Sequence, residues 1–467
     1  MHAIRLSLLL STFLTLLACG DPVEKEIDRL IKGDGKEAET ARMRLALAKS
    51  SAIEPLIAAF QDRSHPSDAR VKMAEALFQL YIREKDERIL ETLTAGMEDQ
   101  DRAVRLRVVA KLGDLGERKT IGLLIERLGL EADPDVRLEI LIALEIMGMK
   151  SQMTSSDTQV GTDKLSDSER QQFTELLLAM ARDPLPESLH LKVLEWLEIV
   201  AEEDSQEARN LELKADLEGA EKALLAARAL VPDSKNINHK LGRFYYDNGQ
   251  REKGLSILSE YGMLLRPARL AQPPAIDGVL EEPVWEDVEP LVSFYQCIFK
   301  MRAYPIQGRS EAYVGYRGNV LYIGIKGYES TTNNLAALVT ERDQRVHEDD
   351  CVELFLDLDH DYTTYYQIVV NSLGTIADNQ WDSSVQMSNG NSEWNGEYEI
   401  ATKVEETFWT AEIAIPIAQF ERRIEPGQIW GFNLARIRIA NAAEYGQWVP
   451  TYGRALRPDR FGFILFD

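Results

Sequence analysis

The sequence predicts a multidomain chain: an all-α solenoid of stacked helical repeats, followed by an all-β antiparallel β-sandwich of jelly-roll type. Three observations carry this. Arginine-marked amphipathic segments recur through the first third of the chain. The composition switches at Pro267, Pro273 and Pro274, and short alternating segments separated by Gly, Asn and Asp fill the rest. With 467 residues the chain is long enough for two or three cores.

The first residues, "MHAIRLSLLLSTFLTLLAC", set Arg5 before an apolar run from Leu6 to Leu17, then small Ala18 before Cys19. That run is too short to span a bilayer and reads as a secretory signal over residues 1–18. Its ending, "LLAC", resembles the lipobox of bacterial lipoproteins. The resemblance implies cleavage before Cys19, a diacylglyceryl group on its sulfur, residues 19–23 as a tether, and an exported, lipid-anchored place in the bacterial envelope. An ordinary signal peptide with an incidental cysteine is the alternative. Cys297 and Cys351 are then either one disulfide or two buried thiols. The formal charge of −24 argues against a nucleic-acid partner, because phosphate binding needs clustered Lys and Arg.

Residues 24–150 read as paired helices. "DARVKMAEALFQL", "RAVRLRVVAKLGDLG" and "PDVRLEILIALEIMG" align on Arg70, Arg105 and Arg137, spaced 35 and then 32 positions apart. Helix pairs at this period bury their apolar faces only by stacking on neighbours. The motif resembles HEAT repeats, with a turn Asp to cap each second helix and an Arg to bridge to the adjacent repeat's turn. Residues 151–170, "SQMTSSDTQVGTDKLSDSER", lack an apolar period and are expected to be a flexible loop. Further helical pairs are expected over 171–265, with Trp196 in their core. The last pair, carrying "LGRFYYDNG", resembles a tetratricopeptide repeat and places Gly242 at a helix contact. Nothing in the helical part forms a catalytic constellation; its expected role is spacing, contact with a protein partner, or both.

From residue 266 to 467 the strand candidates include "EAYVGYR", "VLYIGIKGYE", "DDCVELFLDLD", "YYQIVVNS", "FWTAEIAIP" and "WGFNLARIRI". "AIDGVLEEPVW", "LYIGIKGYE", "DDCVELFLD", "YYQIVVNSLG", "WTAEIAIP", "GQIWGFNLAR" and "PDRFGFILF" occur in that order. Together they resemble a family 9 carbohydrate-binding module. The resemblance implies a β-sandwich that binds glycan between aromatic rings, commonly with structural calcium, and often attached to glycan-degrading enzymes. Calcium is therefore the one expected cofactor, and a poly- or oligosaccharide the expected partner.

Sugar rings stack their C–H faces on aromatic rings and pair their hydroxyls with charged or amide groups. Trp285, Trp409 and Trp430 fall on apolar strand or segment faces and are expected in the core. Trp381, Trp394 and Trp448 lie in polar, Gly- or Asn-rich stretches, as loop anchors or as stacking platforms. Arg342 and Asp343 precede a strand where a charged loop can face a ligand. Asn433 and Arg436 match the family's "N..R" stretch, although odd spacing puts them on opposite strand faces. Glu353 and Glu412 are either sugar acceptors on an exposed face or partners of Arg436 or Arg438 in a cross-strand salt bridge. Asp357, Asp359 and Asp361 alternate in an acidic loop that suits calcium or forms a metal-free turn; an EF-hand is excluded by Tyr362 and Ile368 where Gly and Glu are required.

No nucleophile motif and no zinc-type His cluster is present, so binding without catalysis is the expectation. The alternatives are an envelope interaction scaffold whose sandwich has lost its sugar site, and a divergent glycan hydrolase using two carboxyl groups.

Overall fold

A computed structural model describes residues 22–152, 165–296, 302–384, 390–441, 443–453 and 455–467. Cys19 with its signal segment, and Cys297, lie outside the described residues. The chain divides into two compact units, Met1–Glu203 and Asp204–Asp467.

In the first unit the three Arg-marked segments are the helices Ser67–Glu84, Arg102–Leu115 and Pro134–Gln152. Their partners include Ile53–Gln61, Glu87–Ala95 and Ile121–Leu130. Asp101 caps the second helix Arg102–Leu115 as the sequence predicts, accepting from the Ala103 amide at 2.8 Å; Asp86 caps a first helix, Glu87–Ala95, accepting from the Arg88 amide at 3.0 Å, and Ser67–Glu84 starts after Pro66 with no side-chain cap. Two of the arginines bridge to the next repeat's turn: Arg70 pairs with Asp99, and Arg105 donates to Glu131 at 2.9 Å, while also reaching the Asp99 carbonyl at 2.9 Å. Arg137 instead donates to the Glu131 carbonyl, in the turn of its own repeat. Buried Glu131 thus collects three arginines, because Arg127 also pairs with it at 2.6 Å. Trp196 is in the core, edge-on to Phe173. The expected loop at 151–170 is helical at both ends, through Gln152 and from Asp167, where Ser166 and Glu169 form a reciprocal cap.

The second unit begins within the helical part of the chain. The helices Leu217–Leu230, Lys235–Asp247 and Arg251–Glu260 belong with the sandwich, not with the repeats. Leu255, Leu258 and Met263 enter the sandwich core, and β1 (Leu264–Leu265) pairs in parallel with β14 (Gly462–Leu465). Gly242 is a helix contact, as expected: a Cβ there would lie 2.8 Å from Leu258 Cγ.

The sandwich has two sheets. The larger runs β4 (Tyr304–Pro305), β3 (Tyr295–Gln296), β13 (Glu444–Gln447), β12 (Ile429–Arg438), β7 (Cys351–Asp357), β8 (Thr364–Asn371), β9 (Ile376–Asp382), with β14 also on β12. The smaller runs β10 (Glu399–Val404), β11 (Phe408–Pro416), β6 (Val320–Tyr328), β5 (Ser310–Arg317), β2 (Ala268–Arg269). Pairing is antiparallel apart from β1 with β14 and β2 with β5. Alternation sends Val352, Leu354, Leu356, Trp430, Phe432 and Leu434 inward from one sheet, to meet Trp409, Ala411, Ile413 and Ile415 from the other.

Candidate functional site

The outer face of the larger sheet carries the polar chemistry. Glu353 on β7, Gln367 on β8, Trp381 on β9 and Tyr445 on β13 all lie opposite the core-facing positions of their strands. The Tyr445 hydroxyl donates to Glu353 Oε2 at 2.8 Å, and Trp381 Nε1 donates to Gln367 Oε1 at 3.0 Å. Glu353 is 4% exposed, and this burial holds its carboxyl at about 7 against hydrogen bonds from Tyr445 and Gln367 that favour the anion. The Tyr365 ring lies parallel to that of half-buried Trp381, with centroids 6.2 Å apart. Phe355, Ala435, Ala455 and Phe461 pack next to this pair. Gln447, in the same cross-strand row as Glu353, leaves its Nε2 buried without a partner.

The cross-strand salt bridge offered for Glu353 and Glu412 does not form, and Glu412 is not an exposed acceptor. Arg436 and Arg438 project from the opposite face of β12 and close the end of the sandwich interior. Both pair with Glu329, at 2.5 Å and 2.9 Å, and Arg438 also pairs with Glu444 at 2.7 Å. Glu412 is buried and accepts from the Asp277 and Gly278 amides and from Trp285 Nε1 at 2.9 Å. It pins the segment 276–285 to the smaller sheet.

The proposed sugar ligands do not converge on one site. Trp381 lies in strand β9, not in a loop, and keeps part of its surface open. Trp394 plugs the sandwich edge against Tyr366 and Phe420. Trp448 is a core residue, 3% exposed, with its ring against Phe432, so it offers no stacking face. Asn433 is fully buried and clips Val449 to β12 through 2.8 Å and 3.0 Å bonds; Arg436 is buried in its ion pair. Both are at most 1% exposed, and their polar groups are engaged within the fold. Arg342 donates to Asp378 at 2.9 Å and to the Gly396 carbonyl, while Asp343 accepts from the Asp378 amide. Their loop is thereby tied to β9.

Two acidic groups have the donor chemistry of a hard-cation site. Ligand oxygens of Asp357, Asp359 and Asp361 lie within 4.8 Å of one another, as do those of Asp277, Glu282 and Glu412. In the first group, Asp357 accepts from the Asp361 and Tyr362 amides, Asp361 from those of Thr363 and Thr364, and Asp359 pairs with Arg422. The loop is self-capped, and its carboxylates keep lone pairs for an ion. Cys351 is a fully buried thiol among Val346, Val369, Ala377 and Ile437.

The family described as "Carbohydrate family 9 binding domain-like" matches residues 276–462, and HEAT repeats match residues 53–145. No curated protein matches the sequence significantly. Among solved structures, a carbohydrate binding module family 9 from Caldicellulosiruptor kristjanssonii in complex with glucose is 18% identical. That match covers 44% of this chain and 95% of that one, with a TM-score of 0.34. The same module in complex with cellotriose is 18% identical over 44% and 93%, with a TM-score of 0.33. The complex of CpcE and CpcF of phycocyanin lyase from Nostoc sp. PCC7120 is 16% identical over 37% and 95%, with a TM-score of 0.27. The chain thus joins HEAT repeats at residues 53–145 to a carbohydrate family 9 binding domain-like sandwich at residues 276–462.

Proposed function

We propose that the sandwich binds a carbohydrate on the outer face of its larger sheet, with Trp381 as the stacking platform. Glu353, Gln367 and Tyr445 supply the polar contacts. The observation that carries this reading is a buried carboxylate held by neutral donors beside a half-open, paired aromatic, within a domain of a carbohydrate-binding family. A sugar offers an apolar ring face to the indole and hydroxyls to the carboxylate and amide. The role is binding, with any glycan cleavage supplied by another protein. Calcium at Asp357, Asp359 and Asp361 belongs to the same proposal, as do export and lipid anchoring through Cys19, with the helical repeats as a stalk that holds a protein partner.

One observation favours a second reading. Ala455 and Phe461 pack over Phe355 and Ala435, so part of the outer face is covered. A scaffold whose sugar site is closed would look like this. A glycan array probed with the full mature chain separates the two: retention on specific glycans supports binding, and silence on plant and bacterial glycans, with calcium present, leaves the scaffold. Cys19→Ala is expected to move the protein from the membrane to the soluble fraction; unchanged membrane association contradicts the anchor.

A further inference from the structure

The helical repeats carry a groove wholly within Met1–Glu203. It has a volume of about 500 Å³ and runs between Glu87–Ala95 and Ile121–Leu130, the first helices of neighbouring repeats. Each of these helices is closed on its other flank. Arg88 reaches back to Glu54 of the helix Ile53–Gln61, and a Cβ at Gly129 would lie 3.2 Å from Leu176 of the helix Asp167–Arg182. The flank between the two is left open.

Helical spacing sends one stripe from each helix into the groove: Leu90, Glu91 and Thr94 from one, Leu123, Glu126 and Leu130 from the other. Among the apolar lining residues Leu90 and Met97 are buried, whereas Leu123 and Leu130 are 43% and 70% exposed. These two leucines sit two turns apart on one helix face, so a single apolar partner surface covers both. Both lining cations are already neutralised, Lys119 by Glu87 and Arg127 by Glu131 at 2.6 Å. The exposed side chains of Glu91, Glu98 and Glu126 make no ion pair or hydrogen bond among the described residues. Uncovered leucines thus share the groove with three uncompensated negative charges.

We propose that this groove docks a basic amphipathic helix of a protein partner, with its apolar side chains on Leu123 and Leu130 and its lysines or arginines opposite Glu91, Glu98 and Glu126. Charge complementarity selects this occupant. A second copy of this chain would bring a further formal charge of −24, and the same carboxylates repel an anionic membrane surface. Such docking rests on the reading of the repeats as a stalk that holds a protein partner, and it is independent of the sugar site.

The test is fluorescence anisotropy on the full mature chain with a labelled leucine–lysine peptide of roughly 15 residues, long enough to form a helix. Its counterpart carries glutamate in place of every lysine. Saturable binding of the basic peptide, weakening as salt rises, is expected. Glu91→Lys and Glu126→Lys should each weaken it by about tenfold and Leu130→Ser severalfold. The melting temperature should not change, because all three side chains are exposed. Absence of binding, equal binding of the acidic peptide, or affinity unchanged in all three variants overturns the proposal. So does self-association of the chain that Leu130→Ser abolishes, which would seat a second copy in the groove. Retention of proteins from a bacterial envelope extract then separates the groove from the stalk reading. Together with peptide binding, a partner held by the wild type and lost by Glu91→Lys/Glu126→Lys supports the groove. One held equally by both overturns the groove alone, and none held by either overturns the stalk reading with it.

Discussion

Tyr445 and Glu353, 92 positions apart in the chain, meet at 2.8 Å on the outer face of the larger sheet, hydroxyl to carboxylate. Ala435 of β12 separates their strands, and its small side chain leaves room for the tyrosine to reach across. The contact places a buried acid at the centre of the candidate sugar site.

That acid makes stability depend on pH. Its carboxyl is held at about 7 in the fold and near 4.5 when unfolded, chiefly by burial. Between these values the folded state keeps a proton that the unfolded state has released. The contribution is therefore complete below pH 4.5 and is lost as pH rises through 7, amounting to at most about 3 kcal/mol. Urea unfolding from pH 4.5 to 8 should show this slope, and Glu353→Gln should flatten it. Asp357 is held near 7 as well, by burial first, so part of the slope will remain. An identical slope in the variant contradicts the assignment.

Arg436 should prove a stability residue. It is buried, bonded to Glu329 and to the carbonyls of Arg309 and Tyr328. Arg436→Ala removes one of the two arginines on Glu329, leaves the Arg309 and Tyr328 carbonyls without that donor, and should cost about 3–5 kcal/mol in denaturant unfolding. Glu329→Gln should cost less, because the arginine keeps its carbonyl partners. A variant Arg436→Ala of normal stability but lost sugar affinity would restore the arginine to the binding site.

Two tryptophans should separate cleanly. Trp448→Ala removes a core ring seated on Phe432 and should destabilise the chain by about 3–5 kcal/mol. Trp381→Ala removes a half-buried ring on an edge strand and should cost far less stability, while weakening sugar binding by about tenfold. Melting temperature and affinity measured on both variants check this.

What the sequence made legible follows from how local each signal is. "FWTAEIAIP" alternates strictly, and β11 spans the same residues, Phe408–Pro416. The Arg spacing likewise located the second helices of the repeats. β9 was not legible, because Asp378, Asn379 and Gln380 give it the composition of a loop, and Trp381 was misplaced with it. Trp448 looked like a loop residue because its burial comes from Phe432 and from Gly462, whose Cβ position lies 2.6 Å from the indole. Glu353 was recognised as polar, but its partners arrive from β8 and β13, and pairing across strands is not written in any one of them. The three helices at 217–260 join the sandwich through Leu255 and Leu258 of the last one, which a helical period alone cannot assign to one neighbour or another.

Calcium should act on the acidic loop. If an ion sits among Asp357, Asp359 and Asp361, millimolar calcium should raise the melting temperature by a few degrees over chelator-treated protein, at roughly 2–4 °C per kcal/mol for a domain of this size. Asp361→Asn should abolish the rise. Equal melting temperatures with calcium and with chelator mean that the loop is held by its own amide bonds.

The most direct test of carbohydrate binding is isothermal titration of the full mature chain, with and without Trp381→Ala, against glucose and cello-oligosaccharides. Saturable heat that weakens about tenfold in the variant, at an unchanged melting temperature, is the predicted result. The absence of heat with every sugar, or binding that Trp381→Ala leaves untouched, contradicts the assignment of the outer face as the sugar site.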